Sequence, residues 1–170
     1  MKQNRIFKIC TPVILSAFLF LGILCSSKVG ADMHDSAIGN KIAGTYLLIE
    51  DDDGGSRIVT ITADGNWFGT HSSQLVSKFS NQQGVWKNAG EREITVRALN
   101  FASLEDGVGL SLFSFTVKFD NVYQQVSGRL SGNMFPPDVD PFDPVAVPIR
   151  TFSNTFTGKR LIINEGYRKF

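Results

Sequence analysis

The side chains that could do chemistry in this chain are few. His34 and His71 are its two histidines, and no His-x-x-x-His or Glu-x-x-His spacing accompanies them. Zinc takes tetrahedral sets of nitrogen and sulfur ligands, so the pattern predicts no zinc site. A catalytic serine or cysteine needs a base beside it. No Gly-x-Ser-x-Gly elbow is present, and the sequence alone gives His71 no serine partner, so it reads as a solvated loop residue.

Acids gather at Asp51-Asp52-Asp53 and at Asp138, Asp140 and Asp143. Asp-x-Asp spacing suits calcium, which prefers oxygen ligands. The second group, however, puts Asp143 where a calcium loop wants glycine and Ile149 where it wants glutamate. Both groups therefore read as loops. Glu91 and Glu93 could pair as in glycoside chemistry, but beside Arg92 they read as an exposed hairpin end. The sequence thus assigns no catalytic residue, no metal ligand and no cofactor, and an enzyme is the less expected outcome.

Compartment is better specified. Lys2, Arg5 and Lys8 precede an apolar run from Ile9 to Leu24, and Val29-Gly30-Ala31 follows. A basic start, a short apolar stretch and a small-residue site define a secretory signal. Cleavage is expected before Asp32. The run is shorter than the ~20 residues of a membrane span. Cys25 invites a lipoprotein reading, but Leu24 stands where a small residue is wanted. The expected product is secreted or periplasmic, with no stable membrane insertion.

Cleavage alters the composition. Cys10 and Cys25 leave with residues 1–31, as do three of the 14 phenylalanines. Four of the 17 basic residues leave and none of the 16 acids, so 13 bases face 16 acids, a net charge of −3. A mildly acidic domain has no electrostatic reason to bind nucleic acid or an anionic membrane.

Residues 32–170 read as one all-β domain. Asp32 to Lys41 reads as a loose polar arm. Strands are expected at 43–50, 56–63, 66–70, 84–87, 93–101, 108–119 and 122–134, with a last one over 150–163 interrupted at Gly158. The longest alternate apolar and polar residues, as half-buried strands do. Asp64-Gly65 is a hairpin signal. The stretch 71–82 is polar and unassigned. The segment 136–148 holds five prolines and must be a loop. About eight short strands separated by turns predict an antiparallel β-barrel, since closure removes exposed edges.

Lys41-Ile42-Ala43-Gly44-Thr45-Tyr46 resembles the opening of lipocalins and their calycin relatives, with Tyr46 in place of the usual tryptophan. Gly158-Lys159-Arg160 resembles the late segment whose basic residue packs over that aromatic. The Thr-Asp-Tyr-like turn of the family is missing. The segment from Gly84 to Phe119 is also similar to exported lipocalin-like proteins. The resemblance implies an eight-stranded barrel in which Tyr46 and Arg160 are structural.

On this reading the aromatic stripe Phe113, Phe115 and Phe119, with Leu99, Phe101 and Leu130, lines a cup. The ligand-binding residues expected are Phe101, Phe113, Phe115, Phe119 and Leu130, and the partner expected is a small apolar molecule. The same side chains would equally fill a solid core. Two other functions stay open: a cavity-type cyclase or isomerase, and a protein–protein interaction module using the proline-rich loop.

Overall fold

The computed structural model describes residues 33–52 and 54–163. Residues 1–31, read above as an export signal, lie outside the described residues. A helix, α1 (Met33–Ile42), precedes eight strands. These are β1 (Gly44–Glu50), β2 (Ser56–Ile61), β3 (Asn66–His71), β4 (Gln82–Gly90), β5 (Glu93–Leu104), β6 (Gly107–Phe119), β7 (Gln125–Phe135) and β8 (Arg150–Arg160). Each strand pairs antiparallel with the next, and β8 pairs with β1, so the sheet closes into a barrel.

Alternation decides what lies inside. On β5, Ile94, Val96 and Ala98 point inward and are buried; on β6 the same holds for Phe113, Phe115, Val117 and Phe119. Continuing the β5 period carries Asn100 and Ala102 inward. Leu99 and Phe101 share the parity of Arg97 and face outward. Phe101 is 59% exposed, which corrects its expected place in the interior. The middle of the barrel is solid: Trp67, Phe115, Phe156, Leu48 and Val96 are all fully buried in one cluster.

Three local expectations are corrected. Residues 33–42 form a helix rather than an arm, because Ile38 and Ile42 lie one turn apart and bury together in the core cluster. Val122 lies in the β6–β7 turn and is exposed. The last strand runs through Gly158 without interruption. A Cβ at Gly158 would lie 2.5 Å from Leu48 Cδ2, so the glycine makes room for a core leucine instead of ending the strand. The Asp64-Gly65 hairpin forms as expected, with Gly65 at a φ of 99°.

The two ends of the barrel differ. Helix α1 packs at the end reached by the β2–β3, β4–β5 and β6–β7 turns, and we call this the capped end. There Tyr46 and Arg160 are register partners on β1 and β8, with the guanidinium 5.9 Å above the phenol ring. Arg160 Nη1 donates to the Lys41 carbonyl at 3.0 Å, and Nη2 donates to that of Ala43. Both bonds satisfy carbonyls around the helix C-terminus, where a cation is also favoured. Tyr46 donates its hydroxyl proton to the Ile42 carbonyl at 2.8 Å. Burial pushes the Tyr46 phenol up to about 12, against the opposing charge of Arg160, so the hydroxyl stays a neutral donor.

Candidate functional site

The opposite end, the mouth, is built from the β1–β2, β3–β4, β5–β6 and β7–β8 loops. Strand parity turns polar side chains inward here. Glu50 follows Leu48 on the inner face of β1. Arg57 precedes Val59 and Ile61 on β2, and His71 follows Trp67 on β3. Arg57 and His71 are register partners. All three are buried, and they converge on one oxygen. Glu50 Oε1 accepts from Arg57 Nε at 3.1 Å and Nη2 at 2.6 Å, and lies 3.3 Å from His71 Nε2. Glu50 Oε2 accepts from Asn154 Nδ2 at 3.2 Å.

Local backbone fixes the imidazole. His71 Nδ1 accepts from the Ser73 N–H at 3.1 Å at the start of the 3₁₀ turn Ser72–Leu75, and Gln74 Oε1 accepts from the His71 N–H at 2.9 Å. An Nδ1 that accepts leaves the proton on Nε2, which then donates to Glu50. Burial drives the Glu50 carboxyl up, but the His71 hydrogen bond and the charge and hydrogen bonds of Arg57 outweigh it. The net shift is downward from 4.5. The cluster is a compensated ion pair to which His71 adds an Nε2 contact. A carboxylate held by three side chains is a weak base, so the geometry does not favour Glu50 for proton abstraction. The guanidinium also sits 5.5 Å over Phe115 and 5.9 Å over Phe113, which seats the cluster on the aromatic core.

Above it lies an open cavity of about 540 Å³, within the size range of small-molecule sites. Its apolar wall includes Phe79, Leu104, Phe113, Leu130, Met134 and Phe152; its polar wall includes Glu50, Arg57, His71, Asn100 and Ser111. Three other depressions, of about 560, 630 and 420 Å³, lie on the outer wall among solvated side chains such as Ser131, Thr155, Lys118 and Lys159. They hold no buried charge cluster. Among the described residues no group of three His, Cys, Asp or Glu side chains could hold a metal.

The five residues expected to bind a ligand therefore separate. Phe113 and Leu130 line the cavity. Phe115 lies beneath it, in tilted contact with Trp67 at 5.0 Å between ring centroids. Phe119 is at the capped end, in edge contact with Tyr46 at 5.9 Å. Phe101 is outside the barrel. The two histidines separate as well: His34 falls in α1, while His71 is part of the mouth cluster.

No protein-family model matches the chain, and no curated protein matches its sequence.

The residues that sequence reasoning missed are Glu50, Arg57, Gln82, Asn100 and Ser111, all buried polar groups on the inner face. Parity could have found Asn100, since it follows Ile94, Val96 and Ala98 at intervals of two. A polar residue at a buried position is the informative exception.

Proposed function

We propose that this chain is an exported, lipocalin-like barrel that holds a small, mainly apolar molecule in the cavity at its mouth. The observation that carries the reading is the cavity of about 540 Å³, with Phe113, Phe152, Leu130 and Met134 on one wall and a compensated ion pair on another. Small-molecule sites pair apolar walls with placed polar groups, and this cavity has both, with polar residues the more numerous in its lining. The solid core below limits the ligand to the upper part of the barrel. The Tyr46–Arg160 stack supports the lipocalin-like reading, since it sets a late basic residue over the first-strand aromatic. Export rests on the basic, apolar and small-residue regions of residues 1–31.

Native mass spectrometry on protein recovered from its exported fraction tests both parts. The expected result is a chain beginning at Asp32 that carries a non-covalent small molecule, released on unfolding. A chain retaining residues 1–31 would contradict cleavage, and absence of the protein from the exported fraction would contradict export. A ligand-free barrel that also takes up no apolar probe would contradict binding.

A further inference from the structure

Four buried side-chain polar atoms among the described residues have no hydrogen-bond partner: Trp67 Nε1, Gln82 Nε2, Gln82 Oε1 and Asn100 Oδ1. They are not scattered. Asn100 lines the mouth cavity, is 6% exposed, and uses its Nδ2 on the Ser80 carbonyl at 3.4 Å, leaving the oxygen. Gln82 is 2% exposed and opens β4. The register that pairs Gln83 with Leu99 places Gln82 beside Asn100 on the inner face. Gly69 is the β3 partner of Gln82. A Cβ there would lie 2.8 Å from Gln82 Oε1 and 3.5 Å from Trp67 Nε1, so the glycine gives the Gln82 amide its room and sets the indole N–H alongside.

Leaving a buried donor or acceptor unpaired costs about 1–3 kcal/mol per group, and such groups in a folded protein call for a reason. Here the set is balanced: an indole N–H and an amide NH₂ donate, and two amide oxygens accept. None of the four is charged, and the one ion pair nearby is already compensated. A carboxylate would satisfy only the donors, and an ammonium only the acceptors. The mouth loops also discourage anions, because the acids of the β1–β2, β5–β6 and β7–β8 loops outnumber Lys78 and Arg150 at the same end.

We propose that the cavity recognises a ligand whose head group is uncharged and both donates and accepts hydrogen bonds, a carboxamide or an alcohol, on an apolar body. Asn100 lines the cavity and meets the head first; Gln82, its inner-face neighbour, and Trp67 do not line the cavity and form the layer directly beneath it, which the head enters, while the body lies against Phe113, Phe152 and Leu130. This deepens the proposed binding function and rests on it.

The test is calorimetric titration of the purified protein with four probes of one chain length: octanamide, octanol, octanoate and octylammonium. Octanamide and octanol are expected to bind roughly tenfold tighter or better than the two ions. Equal binding of all four, or a preference for an ion, would overturn the head-group assignment and leave the cavity function standing. Binding of none would overturn both.

Two variants locate the effect. Gln82→Met replaces a wholly unpaired amide by an apolar group of similar size, and Asn100→Leu removes the unpaired oxygen together with the Nδ2 bond to the Ser80 carbonyl. Gln82→Met is expected to raise the melting temperature of the free protein by about 2–4 °C, and both variants to abolish the preference for octanamide over octanoate. If one variant does not fold, the other decides. An unchanged preference in a folded variant would contradict the assignment.

Discussion

Trp67 and Trp86 stand on adjacent strands of the same barrel, and both are buried, yet only one has its indole N–H paired. Trp86, at the capped end, donates to the Thr62 carbonyl at 2.9 Å. Trp67, pointing toward the mouth, donates to nothing in the protein. The same contrast holds for the neighbours. At the capped end Tyr46, Arg160 and the helix carbonyls satisfy one another. Toward the mouth an ion pair is buried, the Gln82 amide and the Asn100 oxygen lack partners, and a cavity opens. Natural folds usually resolve such conflicts, and departures concentrate where function requires them. One half of the barrel is capped and its polar groups are satisfied; the other keeps unpaired groups beside the cavity in which we propose a ligand sits.

The largest effect should come from the solid core between the halves. Phe115→Ala removes a ring that is fully buried against Trp67, Phe113 and Phe156. A loss of about 3–5 kcal/mol is expected in denaturant unfolding. A loss under about 1 kcal/mol would mean the interior is looser than described and the two halves are not separate.

The next effect probes the mouth. Arg57→Leu leaves Glu50 buried without its main cation, and breaking a buried pair costs about 3–5 kcal/mol. The double variant Glu50→Leu with Arg57→Leu should recover most of that, because apolar replacement of both partners is often neutral. Equal instability of single and double variants would show that the pair organises the mouth by more than its own compensation.

Acid should act through the same carboxylate, with a smaller effect. The folded-state pKa of Glu50 lies below its ordinary value of 4.5, so the ionised form stabilises the fold. That contribution is complete above the unfolded-state pKa and is lost as pH falls through the folded one. Melting temperatures taken from about pH 6 to pH 3 should fall more steeply in the wild type than in Glu50→Gln. Parallel curves would remove Glu50 from the acid response.

The smallest effect belongs to the capped end. Tyr46→Phe deletes one hydrogen bond to the Ile42 carbonyl and should cost about 1 kcal/mol, without altering ligand binding. A binding change in this variant would break the division between the ends.

Much of the fold could be read from the sequence, because long alternating strands such as 93–101 and 108–119 announce their own inner faces. The Asp64-Gly65 turn was legible for the same local reason. Helix α1 was not, since Ile38 and Ile42 make a sparse apolar pattern and their partners lie on distant strands. Phe101 was misplaced because an aromatic stripe was assembled by residue type, while the parity from Ile94 already sends it outward. The mouth cluster was hidden for a different reason. Glu50, Arg57 and His71 stand at or next to the ends of three strands, where polar residues normally meet water. Closure of the barrel and the 3₁₀ turn after His71 bury them instead.

The division of the barrel is tested most directly by ¹H–¹⁵N NMR of the protein titrated with octanamide. The indole N–H of Trp67 and the side-chain amides of Gln82 and Asn100 should shift together, to a common saturation, while the indole N–H of Trp86 stays in place. Shifts at Trp86 without shifts at Trp67, or shifts confined to outward-facing residues such as Phe101 and Val85, would contradict a binding mouth.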